Sequence, residues 1–283
     1  MTIGEWLDSA QKKLVAVDIP TARLDALVLL CHVLQKDKSY ILAYDDALLK
    51  AEELNKLTNV LHRRLQHEPI AYIIGKKEFY GRDFVVTRHT LIPRPETELL
   101  VDTALELLPQ TPLHFADLGT GTGCIGLTLL TERPHWQGLL LDLCPHAAEV
   151  AATNARLLDV QNRAVVLRGD MQHPPLKAES LQLVVSNPPY IAEAERHMVM
   201  DEVLHNEPHS ALFSENNGLL HLAAAINAAA HALQNGGWIL LEHGAAQAKA
   251  VHGLLAESRI FKKIENKRDI AQLDRCTLAR KGL

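Results

Sequence analysis

The chain has 283 residues, 47% of them hydrophobic and 22% charged, with a formal net charge of −5. That length supports one large domain and a smaller one, and the composition is that of an ordinary globular protein. The acidic total argues against a grip on naked duplex, where phosphate contacts dominate affinity, and leans towards a protein or small-molecule substrate. Four cysteines, Cys31, Cys124, Cys144 and Cys276, lie far apart and form no C-x-x-C pair. Such spacing suits neither a zinc site nor a disulfide framework, and fits reduced thiols in a cytosolic protein. The first residues lack the basic and apolar blocks of a signal peptide. Polar residues break the apolar stretches, such as 24–34, before bilayer length. The expectation is a cytoplasmic, soluble protein with no membrane attachment.

Residues 1–75 read as a small helical bundle. Thr2 and Glu5 form a capping-box pattern, followed by Trp6, Leu7, Ala10 and Leu14 at helical spacing. Asp18-Ile19-Pro20 breaks that helix. Thr21 is placed to cap the next, with Leu24, Leu27, Val28 and Cys31 read as its apolar face. A third helix over 52–66 buries Leu54, Leu57, Val60, Leu61 and Leu65. From Gly75 the texture changes, and aromatic and β-branched residues around Gly81 predict a hairpin linker over 76–93. Pro93 and Pro95 fix an extended approach to a helix over 99–108.

Beyond residue 113 strands and helices alternate. Strands are read at 113–118, 139–142, 164–168, 181–186 and 238–242, with helices at 124–131, 145–158 and 219–234. This alternation implies an α/β domain, residues 94–283, whose mostly parallel sheet carries helices on both faces. The tail, 258–266 and 275–280, supplies two further strands as an antiparallel edge hairpin.

Three motifs carry chemistry. Gly119, Thr120, Gly121, Thr122 and Gly123 lie between a strand and a helix, where glycines let the backbone approach a ligand. The G-x-G-x-G spacing differs from the dinucleotide pattern, and no Lys-Ser/Thr pair follows, which excludes a P-loop. Asp142 ends the next strand, where an acid can accept both ribose hydroxyls of a nucleoside; it can equally cap the helix that starts at Pro145. Asp170 and Met171 are similarly placed, Met171 to cover an adenine face or simply to fill a core. The sharpest signal is Asn187, Pro188, Pro189 and Tyr190 at the end of a strand. The prolines fix the backbone and leave carbonyl acceptors. The Asn187 side-chain oxygen and the Pro188 carbonyl can each accept one N–H of an NH₂ group, and Tyr190 can stack on a planar amide or base.

In this order, the glycine turn, acidic strand end and Asn-Pro-Pro-Tyr resemble the class I S-adenosylmethionine-dependent methyltransferases (Rossmann-like) that modify planar nitrogens. Within them the chain is most similar to the bacterial release factor glutamine methyltransferases, the HemK/PrmC family. Pro93-Arg94-Pro95-Glu96-Thr97-Glu98, Glu207-Pro208, Leu241-Glu242-His243-Gly244 and Asp269…Arg275 extend the resemblance along almost the whole chain. One departure is Gln272, where a glycine is expected. The resemblance implies S-adenosyl-L-methionine held by residues 119–123, Asp142, Met171 and Asn187, with glutamine contacts on residues 187–190. It implies as partners the class I peptide chain release factors, methylated on the glutamine of a Gly-Gly-Gln loop, with the helical region docking them and no direct nucleic acid. The implied reaction is in-line attack by the amide nitrogen, driven by positioning and needing no dedicated base.

Other features take plainer readings. His205 and His209 stand near Glu202 and Glu207, but Pro208 breaks the helical face a metal cluster needs, so no metal is expected. Cys124 packs its helix on the sheet. Arg94, Glu96 and Glu98 anchor the linker. An adenine methyltransferase with the same site would need a basic or target-recognition segment that the chain lacks.

Overall fold

Apolar residues at helical spacing fold as helices before the first strand. The computed structural model describes residues 1–282. Its first helices are α1 (Ile3–Val15), α2 (Ala22–Leu34), α3 (Lys38–Ala43), α4 (Ala51–Leu65) and α5 (Ile70–Ile74). The capping box of α1 is formed: Glu5 N–H donates to Thr2 Oγ1 at 3.1 Å, and Thr2 N–H to the Glu5 carboxylate at 2.8 Å. Thr21 stands at the N-terminus of α2, but its hydroxyl makes no capping bond.

The face that α2 buries differs from the expected one. Ala22, Asp25, Ala26, Leu29 and Leu30 point inward, while Leu24 is 49% exposed. The helix is apolar nearly all round, so spacing alone cannot choose a face. A buried ion pair marks the inward side. Arg64 of α4 donates to Asp25 at 2.7 Å and to Glu202 at 2.6 Å. Glu202 comes from a short helix far along the chain, because the first compact unit comprises residues 1–76 together with 201–206.

The second unit comprises residues 77–200 and those from 207 onward. It opens with a hairpin, β1 (Lys76–Phe79) and β2 (Arg82–Val85), turned by Tyr80 at φ 53° and Gly81 at φ 72°. Two-residue hairpin turns of this hand need positive φ at both positions. A 3₁₀ turn, Pro95–Thr97, leads into α6 (Glu98–Leu107). Then follow β3 (Leu113–Leu118), α7 (Cys124–Glu132), β4 (Trp136–Asp142), α8 (Pro145–Leu157), β5 (Ala164–Arg168) and β6 (Leu181–Ser186). Short elements come next: β7 (Ile191–Ala192), α9 (Asp201–Asn206), β8 (Phe213–Ser214) and α10 (Glu215–Gly218). The chain closes with α11 (Leu220–Ala232), β9 (Leu233–Glu242), α12 (Ala248–Glu257), β10 (Phe261–Arg268) and β11 (Asp274–Lys281).

The main sheet has the order β10-β11-β9-β6-β3-β4-β5. β5, β4, β3, β6 and β9 are parallel, and β11 and β10 form the expected antiparallel edge. β9 begins earlier than its apolar run suggests. Leu233 pairs with Leu181 and Trp238 with Leu183, so residues 234–237 bulge out, with Gly236 at φ 84°. α12 was not anticipated from the sequence. Alternate strand residues feed two apolar clusters, one against α6, α7 and α8, the other against α11 and α12. Among the described residues no helix is long and apolar enough to cross a membrane.

From β3 the chain builds β4 and β5 to one side, then returns through β6 on the other. Parallel α/β sheets open a crevice at the carboxyl ends of their strands where the order reverses. Here that point lies between β3 and β6.

Candidate active site

The glycine turn leaves the end of β3 and Asn-Pro-Pro-Tyr leaves the end of β6, so the topology makes them neighbours. Ser186 Oγ donates to the Leu118 carbonyl at 2.6 Å and joins the two strand ends. Asp117, fully buried, pins the turn from below. Its Oδ2 accepts from Thr120 Oγ1 at 2.6 Å and from Gly126 N at 3.0 Å. Burial lifts this carboxyl to about 6 against the opposing pull of those two donors. Gly119 adopts φ +73°, and a Cβ there would stand 3.0 Å from Met171 Cε, so Met171 lies directly against the turn.

Asp142 is held by the same turn. Gly121 N–H donates to its Oδ2 at 2.8 Å and Cys144 N–H to its Oδ1 at 2.9 Å. Burial raises its pKa, and the two backbone donors oppose that rise. Each carboxylate oxygen keeps a further lone pair for a ligand hydroxyl. Behind the turn, Asn154 of α8 donates to the Thr122 carbonyl at 2.9 Å and exchanges two hydrogen bonds with the Val85 backbone. One buried amide thus fastens the hairpin to the glycine turn.

These residues wall a cavity of about 330 Å³, within the range of small-molecule sites. Gly119, Thr120, Gly121, Thr122, Asp142, Met171, Asn187 and Pro189 all line it. Gly123, Pro188 and Tyr190 are not among its walls. Gly123 opens α7, and Pro188 is buried. Tyr190 packs against the apolar cluster of α11, and its carbonyl accepts from Gln247 Nε2 at 2.8 Å. Burial, and next the Glu242 charge, push the Tyr190 hydroxyl up to about 12, with Arg275 acting the other way.

Several residues at the site went unread in the sequence. Asn187 Nδ2 donates to Thr97 Oγ1 at 3.1 Å, and Thr97 itself lines the cavity. Glu242, at the end of β9, is 2% exposed. Burial lifts its carboxyl to about 7, while Thr97, Arg275 and Asn187 draw it down and Glu96 adds to the rise. Its Oε2 has no hydrogen-bond partner among the described residues. His221 also lines the cavity, with Nδ1 2.7 Å from Ser214 Oγ, and burial lowers its pKa. Thr97 and Glu242 stand in the runs 93–98 and 241–244 that carry the resemblance, but the runs assign neither a role, and His221 stands in no such pattern. The anchoring read for Arg94 and Glu98 is present. Buried Glu207 accepts from Arg94 at 2.5 Å and from Ile92 N at 3.1 Å, and Glu98 accepts from Tyr80 N at 2.8 Å. His205 Nδ1 lies 2.8 Å from the Asp201 carbonyl, and His209 stacks edge-on against Phe213.

A sheet of this strand order, with its glycine turn at the reversal point, defines a class I S-adenosylmethionine-dependent methyltransferase fold. The family model described as "Methyltransferase small domain" matches residues 95–235, and a crystallised methyltransferase from Pyrococcus furiosus superposes with a TM-score of 0.54 at 13% identity, covering 80% of this chain and 100% of that one. The chain belongs to the release factor glutamine methyltransferase family. It is 41% identical to the release factor glutamine methyltransferase of Nitratidesulfovibrio vulgaris over 100% of this chain and 96% of that protein. The namesake from Escherichia coli is 38% identical, covering 99% of each. The "PrmC N-terminal domain" model matches residues 5–75.

Proposed function

We propose that this chain methylates the side-chain amide nitrogen of the glutamine in the Gly-Gly-Gln loop of class I peptide chain release factors, using S-adenosyl-L-methionine. The observation that carries the proposal is Asn187. It stands in the cavity wall with its Nδ2 tied back to Thr97. With Nδ2 so tied, Oδ1 would be left as the acceptor for a substrate NH₂.

The donor-binding half fits the same cavity. Gly119 and Met171 supply a narrow slot, and Asp142 offers carboxylate lone pairs to ribose hydroxyls. Thr120, Gly121 and Thr122 line the wall above the start of α7, where backbone N–H groups favour a carboxylate. S-adenosyl-L-methionine, when bound, supplies a methyl group on a sulfonium sulfur. Asn187 and the Pro188 carbonyl would then hold the glutamine NH₂ group by two acceptors. Such a grip aligns the nitrogen and stabilises the positive charge it gains during transfer. Tyr190 would bound the glutamine side of the corner. No residue need act as a dedicated base, because a methylated amide cation loses its proton readily to water.

In the same scheme residues 1–75 dock the factor, 76–93 form the linker and 94–283 carry the chemistry. Release factors act in the cytoplasm, which is where the enzyme would work. The test is methyl transfer from labelled S-adenosylmethionine with a release factor, a ribosomal protein, tRNA and DNA offered in parallel. Incorporation into the release factor is expected, and it should vanish with Asn187→Ala while the melting temperature stays near wild type. Near-normal turnover by that variant, or incorporation into the nucleic acids instead, contradicts the proposal.

A further inference from the structure

We infer that His221, its tautomer set by Ser214, reads the adenine ring of the cofactor by donating its Nε2–H to a ring nitrogen beside the amino group. The inference rests on the proposal that S-adenosyl-L-methionine occupies this cavity with its ribose on Asp142.

Two contacts between β8 and the first turn of α11 fix the imidazole. The His221 backbone N–H donates to Ser214 Oγ at 3.3 Å, and the same oxygen lies 2.7 Å from His221 Nδ1. Ser214 is 5% exposed, and among the described residues its hydroxyl has no acceptor other than Nδ1. A buried hydroxyl left without an acceptor costs free energy, so the serine proton goes to Nδ1. In a neutral imidazole the ring proton then sits on Nε2. Burial lowers the His221 pKa, which favours that neutral ring. Nε2 has no partner among the described residues, and His221 lines the cavity. The cavity wall thus holds a donor of fixed sense, set by serine and not by solvent.

The sheet decides which end of the cofactor meets this donor. The glycine turn, Asp142 and Asp170 follow β3, β4 and β5, which are neighbours in that order. A cofactor that runs from the turn past Asp142 brings its base to Asp170, Met171 and Gln172, all in the cavity wall. Leu222, next to His221, belongs to the same apolar cluster as Met171 and Leu141, so the start of α11 packs at this end. Asp170 Oδ1 accepts from Gln172 N–H at 2.8 Å, and its Oδ2 has no partner among the described residues. One open acceptor and one open donor therefore share the wall. Adenine carries an amino donor flanked by acceptor nitrogens and matches such a pair; a base with a keto oxygen in that place does not.

Calorimetric binding of S-adenosylhomocysteine, and of its two analogues with carbon in place of adenine N1 or N7, tests the inference. The proteins compared are wild type, His221→Phe, Ser214→Ala and Asp142→Asn. Wild type should bind one of the two analogues about three- to tenfold more weakly than the parent, the effect of one neutral hydrogen bond. His221→Phe should bind the parent more weakly by that factor and no longer distinguish the analogue from it. In turnover its KM for S-adenosylmethionine should rise likewise, with kcat the less affected. Nitrogen NMR should show His221 as the Nε2–H tautomer in wild type and as a mixture in Ser214→Ala; one and the same tautomer in both would overturn the role of Ser214. Equal affinity of wild type for all three compounds would overturn the inference without any variant having to fold. Unchanged affinity in His221→Phe beside a weakened Asp142→Asn would overturn it alone. Undiminished affinity in Asp142→Asn would bring down the cofactor placement beneath it.

Discussion

Asp142 already receives two backbone hydrogen bonds, so its carboxylate is aimed before any ligand arrives. Asp142→Asn would replace an acceptor-only group by one that is half donor and uncharged. Hydrogen bonds to charged groups contribute about 1.5–3 kcal/mol. Cofactor affinity by calorimetry should fall about ten- to a hundredfold, with the circular dichroism spectrum unchanged; undiminished affinity would remove Asp142 from the site. Gln272 is the other residue whose identity matters. It occupies the position where the family resemblance calls for glycine, and its φ is +61°. A non-glycine residue held left-handed costs about 1–2 kcal/mol, so Gln272→Gly should raise unfolding stability by about 1 kcal/mol in urea titration. Residues whose role is backbone geometry, such as Gly119 and Gly123, were readable from composition alone. The contact of Thr97 with Asn187 was not, because the two stand 90 residues apart in the chain.

Elements joined by buried polar side chains are the next level. Asn154 links α8 to β2 and to the glycine turn, and its removal strands the Val85 N–H, the Val85 carbonyl and the Thr122 carbonyl. Asn154→Ala should cost about 2–3 kcal/mol, the usual penalty for unsatisfied buried groups, and should loosen cofactor binding through the turn. Arg64→Ala would leave Asp25 buried without its cation. Breaking one side of such a pair costs about 3–5 kcal/mol, and the loss should appear in the melting of residues 1–76, followed by hydrogen exchange of α2 and α4. The ladder of central strands was legible because β3 runs apolar into the glycine turn, and β5 and β6 are short runs rich in valine and leucine. The face of α2 was misread for the opposite reason: a helix apolar on every side carries no phase, and Asp25 reads as solvent-facing until Arg64 is placed beside it. α3 and α5 are too short to show a period, and the bulge at Gly236 hid the start of β9.

For the whole molecule, the fold is set by strand order, which brings together two motifs that β4, β5 and β6 separate in the chain. Proton linkage acts at this scale too. In the unfolded chain a glutamate titrates near ~4.3, whereas Glu242 in the fold titrates at about 7. Between those values the folded state binds the extra proton, so stability conferred by this group falls as pH rises through that window. Glu242→Gln should therefore gain stability relative to wild type from mildly acidic to neutral pH, with no further change above about 8. Paired thermal melts across that range check it, and a constant difference would contradict the raised carboxyl. The histidines His221 and His243, whose pKa values burial lowers, act in the opposite direction in both proteins and cancel from the comparison. The class of enzyme was readable from the sequence because its glycine turn and its proline corner are each contiguous; the bond from Asn187 to Thr97 became visible only in three dimensions. The most direct measurement is mass spectrometry of a purified release factor after incubation with the enzyme and S-adenosylmethionine. One added methyl group should map to the glutamine of the Gly-Gly-Gln loop and disappear when that glutamine is replaced by alanine; a methyl group that maps elsewhere, or persists in the replaced factor, would contradict the account.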